Sequence, residues 1–190
     1  AFTEPLEERE EARVIREKDD INQAKLVIGC NIEDMSSFDL NFSLTLYTLI
    51  LGGTPDSKFF KNIREKYSLC YYITASSLKL NHAMLFKAGI DSKNFDETLE
   101  HIRHEMKEME LGHFTDTDIE SAKQTYLTML KSITDSQKSM AYSVLLMKSL
   151  DLGTIEERRE NILKVTKEQI IEVAKKIKIN TIYLLEEASH

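Results

Sequence analysis

The first apolar segments of the chain follow the patterns of β-strands. Residues 11–18 hold two adjacent apolar side chains among charged ones, which predicts an exposed edge strand. Residues 23–31 (QAKLVIGCN) are more continuously apolar and predict a buried strand. Asp19-Asp20 lies between the two segments and is expected to form the turn that joins them.

Three further segments complete the strand pattern. Residues 71–80 and 83–90 are strand-like and flank Asn81-His82, which predicts a hairpin. Residues 178–185 predict a closing strand. Hairpin connections rather than crossovers favour an antiparallel sheet, so the fold class expected is α+β, with helices packed on one face of the sheet.

Helix signals separate and follow these strands. Ser36 or Ser37 can cap a helix that runs to about residue 50, residues 51–53 (LGG) are expected to interrupt the chain, and Thr54-Pro55 supply the start of a second helix. Four capping boxes are predicted in the second half: Asn94 with Glu97, Thr115 with Asp118, Thr154 with Glu157, and Thr166 with Gln169. A helical stripe expected to lie on the sheet comprises Phe95, Leu99, Ile102, Met106 and Met109.

Composition narrows the class of protein and of partner. The 190 residues include 25 Lys plus Arg against 32 Asp plus Glu, a formal charge of −7, which is the wrong sign for neutralising phosphates and argues against a nucleic acid partner. No apolar run approaches the length needed to cross a bilayer, so no membrane partner is expected. Two cysteines, Cys30 and Cys70, cannot form a disulfide framework, which favours a cytoplasmic location. No linker rich in Gly, Pro or Ser divides the chain, so residues 1–190 are interpreted as one domain.

One pair of histidines has the spacing of metal ligands. His101 and His104 lie one turn apart on the predicted helix, and Glu105 and Glu108 are within reach of the same face. A helix with alternating charges on its exposed side produces such spacings by chance, and Arg103 would repel a cation. We therefore expect no metal site in this chain.

Arg64 and Tyr71 are the candidates for binding a polar ligand. If a helix ends near residues 67–69 and a strand begins at residue 70 or 71, a guanidinium and a phenol can point toward one groove. Such groups suit peptide carbonyls or a developing oxyanion. The spacing alone favours the ordinary interpretation, an exposed ion pair for Arg64 and a strand aromatic for Tyr71, because exposed ion pairs are common.

Three segments together resemble a known family of peptidases. They are LGGTPDSKFFKNIREKYSLCYYITASS at residues 51–77, FKAGID at 86–91 and VTKEQIIEVAKKIKINTIYLL at 165–185. These segments resemble in sequence the second, zinc-free half of peptidases related to insulinase, pitrilysin and the mitochondrial processing peptidase. Among bacterial members, they are similar to those of Bacillus-like and Clostridium-like organisms. Residues 1–22 would then be an edge strand or a linker to the other half.

The resemblance implies a noncatalytic role. Family members hold zinc through His-x-x-Glu-His in their first half, and that motif is absent here, so the isolated chain is expected to hydrolyse nothing and to carry no cofactor. Arg64 and Tyr71, with Tyr72 as the alternate, match the family's substrate-binding Arg and Tyr. The implied partners are a peptide and an N-terminal catalytic-like half or subunit that would carry the zinc. The alternative is a structural subunit of an inactive homologue that supports a separate active partner.

Overall fold

The structure is a computed structural model that describes residues 11–134, 150 and 152–188. Five strands form one sheet in the order β1-β5-β2-β4-β3. The strands are β1 (Arg13–Asp19), β2 (Ala24–Ile32), β3 (Cys70–Leu78), β4 (Ala83–Ile90) and β5 (Ile177–Glu187). All five segments expected from the apolar pattern are therefore strands.

The pairing of the strands is antiparallel except at one edge. β3 and β4 form the predicted hairpin, β4 pairs with β2, and β2 pairs with β5, all antiparallel. β1 instead runs parallel to β5. Because β5 lies between β1 and β2, Asp19-Asp20 does not close a hairpin, and the prediction of hairpin connections was wrong at this point. The parallel pairing joins segments from the two ends of the chain, so no local pattern could indicate it.

In the part of the chain that the structure describes, six helices longer than one turn accompany the sheet. The first, α1, consists of π-helical Asp39–Ser43, α-helical Leu44–Thr48 and π-helical Leu49–Gly53 in succession. The others are the π-helical α2 (Phe59–Lys66), α3 (Phe95–Glu110), α4 (Asp116–Thr134), α5 (Ile155–Lys164) and α6 (Lys167–Lys175). None of the helices within the described ranges has both the length and the apolar character needed to cross a bilayer.

The sheet buries one of its faces under the helices. Along β2 every second side chain is buried, from Ala24 to Ile32, and the same alternation recurs along most of β4. Lys25, Thr74 and Lys87 lie on the opposite face and are exposed. The described buried apolar residues of strands and helices form one cluster, and the α+β class with helices on one face is confirmed.

The helix α1 begins as expected and ends later than expected. Ser36 Oγ accepts a hydrogen bond from the Asp39 N–H at 3.0 Å, which confirms one of the two predicted caps. Residues 51–53 do not interrupt the helix but form its last turn. A Cβ at Gly52 would lie 2.6 Å from Phe59 Cδ2 and 2.8 Å from Ala75 Cβ, so glycine here permits close packing rather than a break.

The start of α2 was also predicted three residues too early. Ser57, not Thr54, caps this helix, because its Oγ accepts from the Phe60 N–H at 3.4 Å and its carbonyl from the Lys61 N–H at 3.0 Å. Thr54 lies in the turn that precedes α2. A threonine followed by proline is typical of a helix start and also of a turn. The local pattern thus located the helix but not its first residue.

Three of the four capping boxes are present. Their hydroxyls and carboxylate or amide oxygens accept reciprocally at Thr115–Asp118, Thr154–Glu157 and Thr166–Gln169. Asn94 makes no side-chain cap; its Nδ2 instead donates to the Leu69 carbonyl at 3.4 Å, tying the loop after β4 to the loop before β3. The apolar stripe of α3 is buried along its whole predicted length.

Candidate functional site

The turn between α2 and β3 positions both candidate ligand-binding residues. Tyr67 ends α2, Ser68 adopts a left-handed conformation (φ 54°), and the Leu69 N–H donates to the Ile63 carbonyl at 3.1 Å. This hydrogen bond joins residues six apart, one more than in a Schellman motif, as is expected at the end of a π-helix, and together with the left-handed Ser68 it reverses the chain within a few residues. Arg64 therefore lies in the last turn of α2, just before the strand that carries Tyr71.

Arg64 is exposed and makes an aromatic contact. Its guanidinium carbon lies 4.6 Å from the centroid of the Phe60 ring, a cation–π distance. Burial raises the pKa of the Cys70 thiol to about 11, and the nearby Arg64 charge acts in the opposite direction, so the guanidinium is within electrostatic reach of the residue before Tyr71. Arg64 takes part in none of the ion pairs among the described residues, contrary to the surface ion-pair interpretation.

A β-bulge turns two consecutive tyrosines toward solvent. Cys70 pairs with Ile90 and Tyr72 pairs with Gly89, so Tyr71 is the extra residue on β3. The exposed fractions of Tyr71 and Tyr72 are 57% and 38%. A regular strand would direct two adjacent side chains to opposite faces, so the bulge makes both phenols accessible.

The two tyrosines differ in what they contact. Tyr71 Oη donates to Asp91 Oδ1 at 2.9 Å, and this hydrogen bond is the main cause that raises the pKa of Tyr71. Tyr72 lies over Gly89, where a Cβ would come 2.5 Å from Tyr72 Cε1. The phenol of Tyr71 is thus held by a carboxylate, whereas the ring of Tyr72 covers backbone of the neighbouring strand.

The histidine helix α3 uses its ligand-like residues for structural contacts. His101 stacks on Tyr67 with ring centroids 4.0 Å apart. Glu105 is 4% exposed; its Oε1 accepts from Asn62 Nδ2 at 2.7 Å, and its Oε2 lies 3.0 Å from Lys58 Nζ. The Glu105 carboxylate, which follows His104 directly, is therefore already paired with Asn62 and Lys58.

Glu108, the other carboxylate near the two histidines, also has a partner. Glu108 Oε2 lies 2.9 Å from His113 Nδ1, and this hydrogen bond lowers the pKa of Glu108. No group of three histidine, cysteine or carboxylate side chains is arranged to hold a metal ion in the part of the chain that the structure describes. The donor set around His101 and His104 therefore does not fit zinc.

Sequence reasoning missed Asp91, and it considered Glu105 only as a possible metal ligand and not as the partner of a buried ion pair. Asp91 directly follows β4, and the end of β4 lies beside the start of β3, which carries Tyr71. The correct register of this hairpin would therefore have indicated Asp91 as a neighbour of Tyr71. Glu105 lies between Ile102 and Met109 at the spacing of the apolar stripe, and a carboxylate at such a position signals a buried partner. Arg64 and Tyr71 flank the same turn, but their described contacts are separate: Phe60 for the first and Asp91 for the second.

Comparisons with known proteins converge on one family. Residues 1–126 match the sequence family described as the peptidase M16 inactive domain. The chain is 28% identical over 181 residues to the probable inactive metalloprotease YmfF of Bacillus subtilis (strain 168), which covers 94% of this chain and 42% of that protein.

Solved structures share the fold. A conserved protein from Enterococcus faecalis V583 superimposes with a TM-score of 0.89 at 28% identity, over 98% of this chain and 44% of that one. The peptidase M16 inactive domain from Pseudomonas fluorescens gives a TM-score of 0.73 at 16% identity, over 94% of this chain and 44% of that one. The chain thus spans less than half the length of each of these relatives.

Proposed function

The chain belongs to the peptidase M16 inactive-domain family, and from this membership we propose that it is the noncatalytic half of a two-half protein that encloses a peptide and binds it through Arg64 and Tyr71. The N-terminal half, or a separate subunit, would carry any zinc site. Hydrolysis by this chain alone is not part of the proposal.

The observation that carries the proposal is the pair of exposed polar groups around one turn. Arg64 presents a planar fork of donors, and Tyr71 presents a phenol beside a bulged strand. Both backbones are held close by the turn at Ser68. Two such groups suit a peptide main chain, which offers alternating carbonyls and N–H groups.

The edge position of β3 supports peptide binding as well. β3 is the last strand in the sheet order, so one side of its backbone faces away from the sheet. An extended peptide can add to such an edge through main-chain hydrogen bonds. Tyr71 and Tyr72 at the start of β3 would then contact the end of the added strand.

Zinc, where the other half supplies it, would polarise the scissile carbonyl and activate water. The residues described here would hold and orient the peptide. This division of roles agrees with a donor set on α3 that is committed to Tyr67, Lys58 and Asn62 rather than to a metal.

The test is peptide affinity in the full-length protein. Fluorescein-labelled extended 12-residue peptides of mixed composition are titrated by fluorescence anisotropy against wild type, Arg64→Ala and Tyr71→Phe. We expect each variant to bind about five- to tenfold more weakly, the effect of one lost hydrogen-bonding group. Arg103→Ala, an exposed arginine on α3, and Tyr183→Phe on β5, whose phenol also donates to a carboxylate, are the matched controls and should leave affinity unchanged. Tyr72→Phe is titrated as well, as the alternate tyrosine.

A loss with Tyr72→Phe and not with Tyr71→Phe would move the role to the alternate tyrosine. Wild-type affinity in both Arg64→Ala and Tyr71→Phe would refute peptide binding through this pair. Folding of each variant is checked by its thermal midpoint, so that a loss of affinity is not a loss of structure.

A second candidate function is a structural subunit that supports a separate active partner. It is favoured by the similarity to a Bacillus subtilis protein that is described as a probable inactive metalloprotease. The coding sequence upstream discriminates the two: a His-x-x-Glu-His motif in the same reading frame favours the single-chain peptidase, and its absence favours the supporting subunit. A cytoplasmic location is likewise proposed, on the two buried free thiols Cys30 and Cys70.

A further inference from the structure

The phenol proton of Tyr71 is already committed before any peptide binds. Tyr71 Oη lies 2.9 Å from Asp91 Oδ1. An ionised carboxylate only accepts hydrogen bonds, so the proton of this bond comes from the phenol. The lone pairs of the phenol oxygen then remain for a ligand, and donation to a carboxylate makes that oxygen a stronger acceptor.

The main chain around Asp91 holds this geometry in place. The Asp91 carbonyl accepts from the Asn94 N–H at 2.9 Å, and Asn94 Nδ2 donates to the Leu69 carbonyl two residues before Tyr71. The loop that carries Asp91 is thus bonded to the turn that precedes Tyr71. Cys70 and Ile90, which precede the two residues, are a paired position of the hairpin.

We propose that Asp91 is a positioning residue for Tyr71: by taking the phenol proton it makes Tyr71 an acceptor that binds a backbone N–H of the peptide rather than a carbonyl. This inference rests on the proposed peptide-binding function. The sequence alone led us to expect that the Tyr71 hydroxyl donates to peptide carbonyls or to an oxyanion, whereas the structure favours an acceptor role. A donor role would first require the bond to Asp91 to break, and bonds to charged groups are the stronger ones.

The other charges near this pair are more distant or less fixed. Lys93 Nζ lies 4.0 Å from Asp91 Oδ2 on a side chain that is 80% exposed, and Glu187 adds a smaller negative contribution at Tyr71. Arg64 remains the donor of the site, so that the two groups would bind complementary parts of a peptide main chain. Lys93→Ala, which adjoins Asp91 without touching the phenol, is therefore the matched control.

The experiment is a double-mutant cycle in the full-length protein with the same labelled 12-residue peptides. Tyr71→Phe and Asp91→Ala are each expected to weaken binding about fivefold, and the double variant no further, because both remove one interaction. Additive losses, or tighter binding by Asp91→Ala, would overturn the positioning role. An unchanged affinity in Tyr71→Phe would instead refute the part that Tyr71 has in the proposed function, so the two failures are distinguishable.

The donor–acceptor assignment has its own readout. A peptide series in which one amide nitrogen at a time is methylated removes single N–H groups and keeps every carbonyl. We expect one position where methylation weakens binding to wild type and not to Tyr71→Phe; a steric effect would persist in the variant. If no position shows this dependence on Tyr71, the acceptor role is wrong.

A spectroscopic measurement separates positioning from a merely structural effect. In protein labelled with ¹³Cζ-tyrosine, the Tyr71 resonance is assigned by its absence in Tyr71→Phe, and its pKa is followed by titration. Asp91→Asn keeps the shape of the side chain and should lower the pKa of Tyr71, whereas Lys93→Ala should not lower it. A pKa that Asp91→Asn leaves unchanged would contradict the hydrogen bond.

Discussion

Glu105→Gln is the substitution that most sharply separates a structural from a metal-binding interpretation of the histidine helix. Glu105 is buried on α3, accepts from Asn62 Nδ2 at 2.7 Å and lies 3.0 Å from Lys58 Nζ. Glutamine keeps an oxygen for Asn62 and the volume of the side chain. It removes only the charge that faces the Lys58 ammonium, so the variant isolates the ion pair that joins α3 to α2.

The expected cost follows from the burial of the two groups. Removal of one partner from a fully buried ion pair costs about 3–5 kcal/mol, because the other charge stays desolvated. The side chains here are 5% exposed for Glu105 and 17% for Lys58, so partial solvation of the ammonium brings the estimate down to about 2–3 kcal/mol. For a chain of this size that is a fall in thermal midpoint of about 5–10 °C.

The assay is urea and thermal unfolding of wild type, Glu105→Gln, Lys58→Met and the double variant, followed by circular dichroism. The double variant should be more stable than the sum of the single losses predicts, since the unpaired charge is gone. His101→Ala is the comparison and should cost about 1 kcal/mol or less, the value of one ring stack. Equal, additive losses in all variants, or a midpoint raised by added zinc, would refute the reasoning.

Three further substitutions test other parts of the fold. Ser68→Gly should raise the free energy of unfolding by about 0.5–1 kcal/mol in urea titrations, because glycine adopts the left-handed conformation without strain; a loss would contradict this. Gly52→Ala should lower it by about 1–3 kcal/mol through overpacking against Phe59, and a neutral result would mean that α1 and α2 can separate. Hydrogen bonds from Thr154 lower the pKa of Glu157 below its ordinary 4.5, so its stabilising effect is present above about pH 4.5 and is lost as the pH falls. Glu157→Gln should therefore flatten the acid side of the stability curve, and an unchanged slope would contradict the capping role.

The features that sequence predicted correctly depend on neighbours along the chain. The capping boxes at residues 115, 154 and 166 each need two side chains three residues apart, and the alternation of β2 and β4 is visible in any short window. The resemblance of three segments then led to the family, which the match over residues 1–126 shows. The local patterns and the resemblance of these segments were together enough to predict the fold class.

The features that sequence did not predict depend on residues far apart. The parallel pairing of β1 with β5 joins positions such as Val14 and Ile182. The packing that requires Gly52 involves Phe59 and Ala75, and the partner of Glu105 on α2 is 43 residues away. These contacts form only in the folded protein, so a short window of sequence does not identify the partner of Gly52, Glu105 or β1.

The candidate site shows the same division. The α2–β3 turn between Arg64 and Tyr71 was expected from the spacing and the resemblance. The bulge that makes Tyr71 an extra residue, and the hydrogen bond to Asp91, come from the register of β3 with β4. A register is a property of two strands, and the apolar pattern of one strand leaves a single inserted residue undetermined.

Peptide affinity of the full-length protein with Arg64→Ala and Tyr71→Phe combined tests the central claim most directly. The measurement compares this double variant with Arg103→Ala combined with Tyr183→Phe, which removes the same types of group from positions outside the proposed site. We predict a loss of affinity of about tenfold or more in the first variant and none in the second. Equal affinity in the two variants, with both folded as wild type, would contradict the claim that this half of the protein binds peptide through Arg64 and Tyr71.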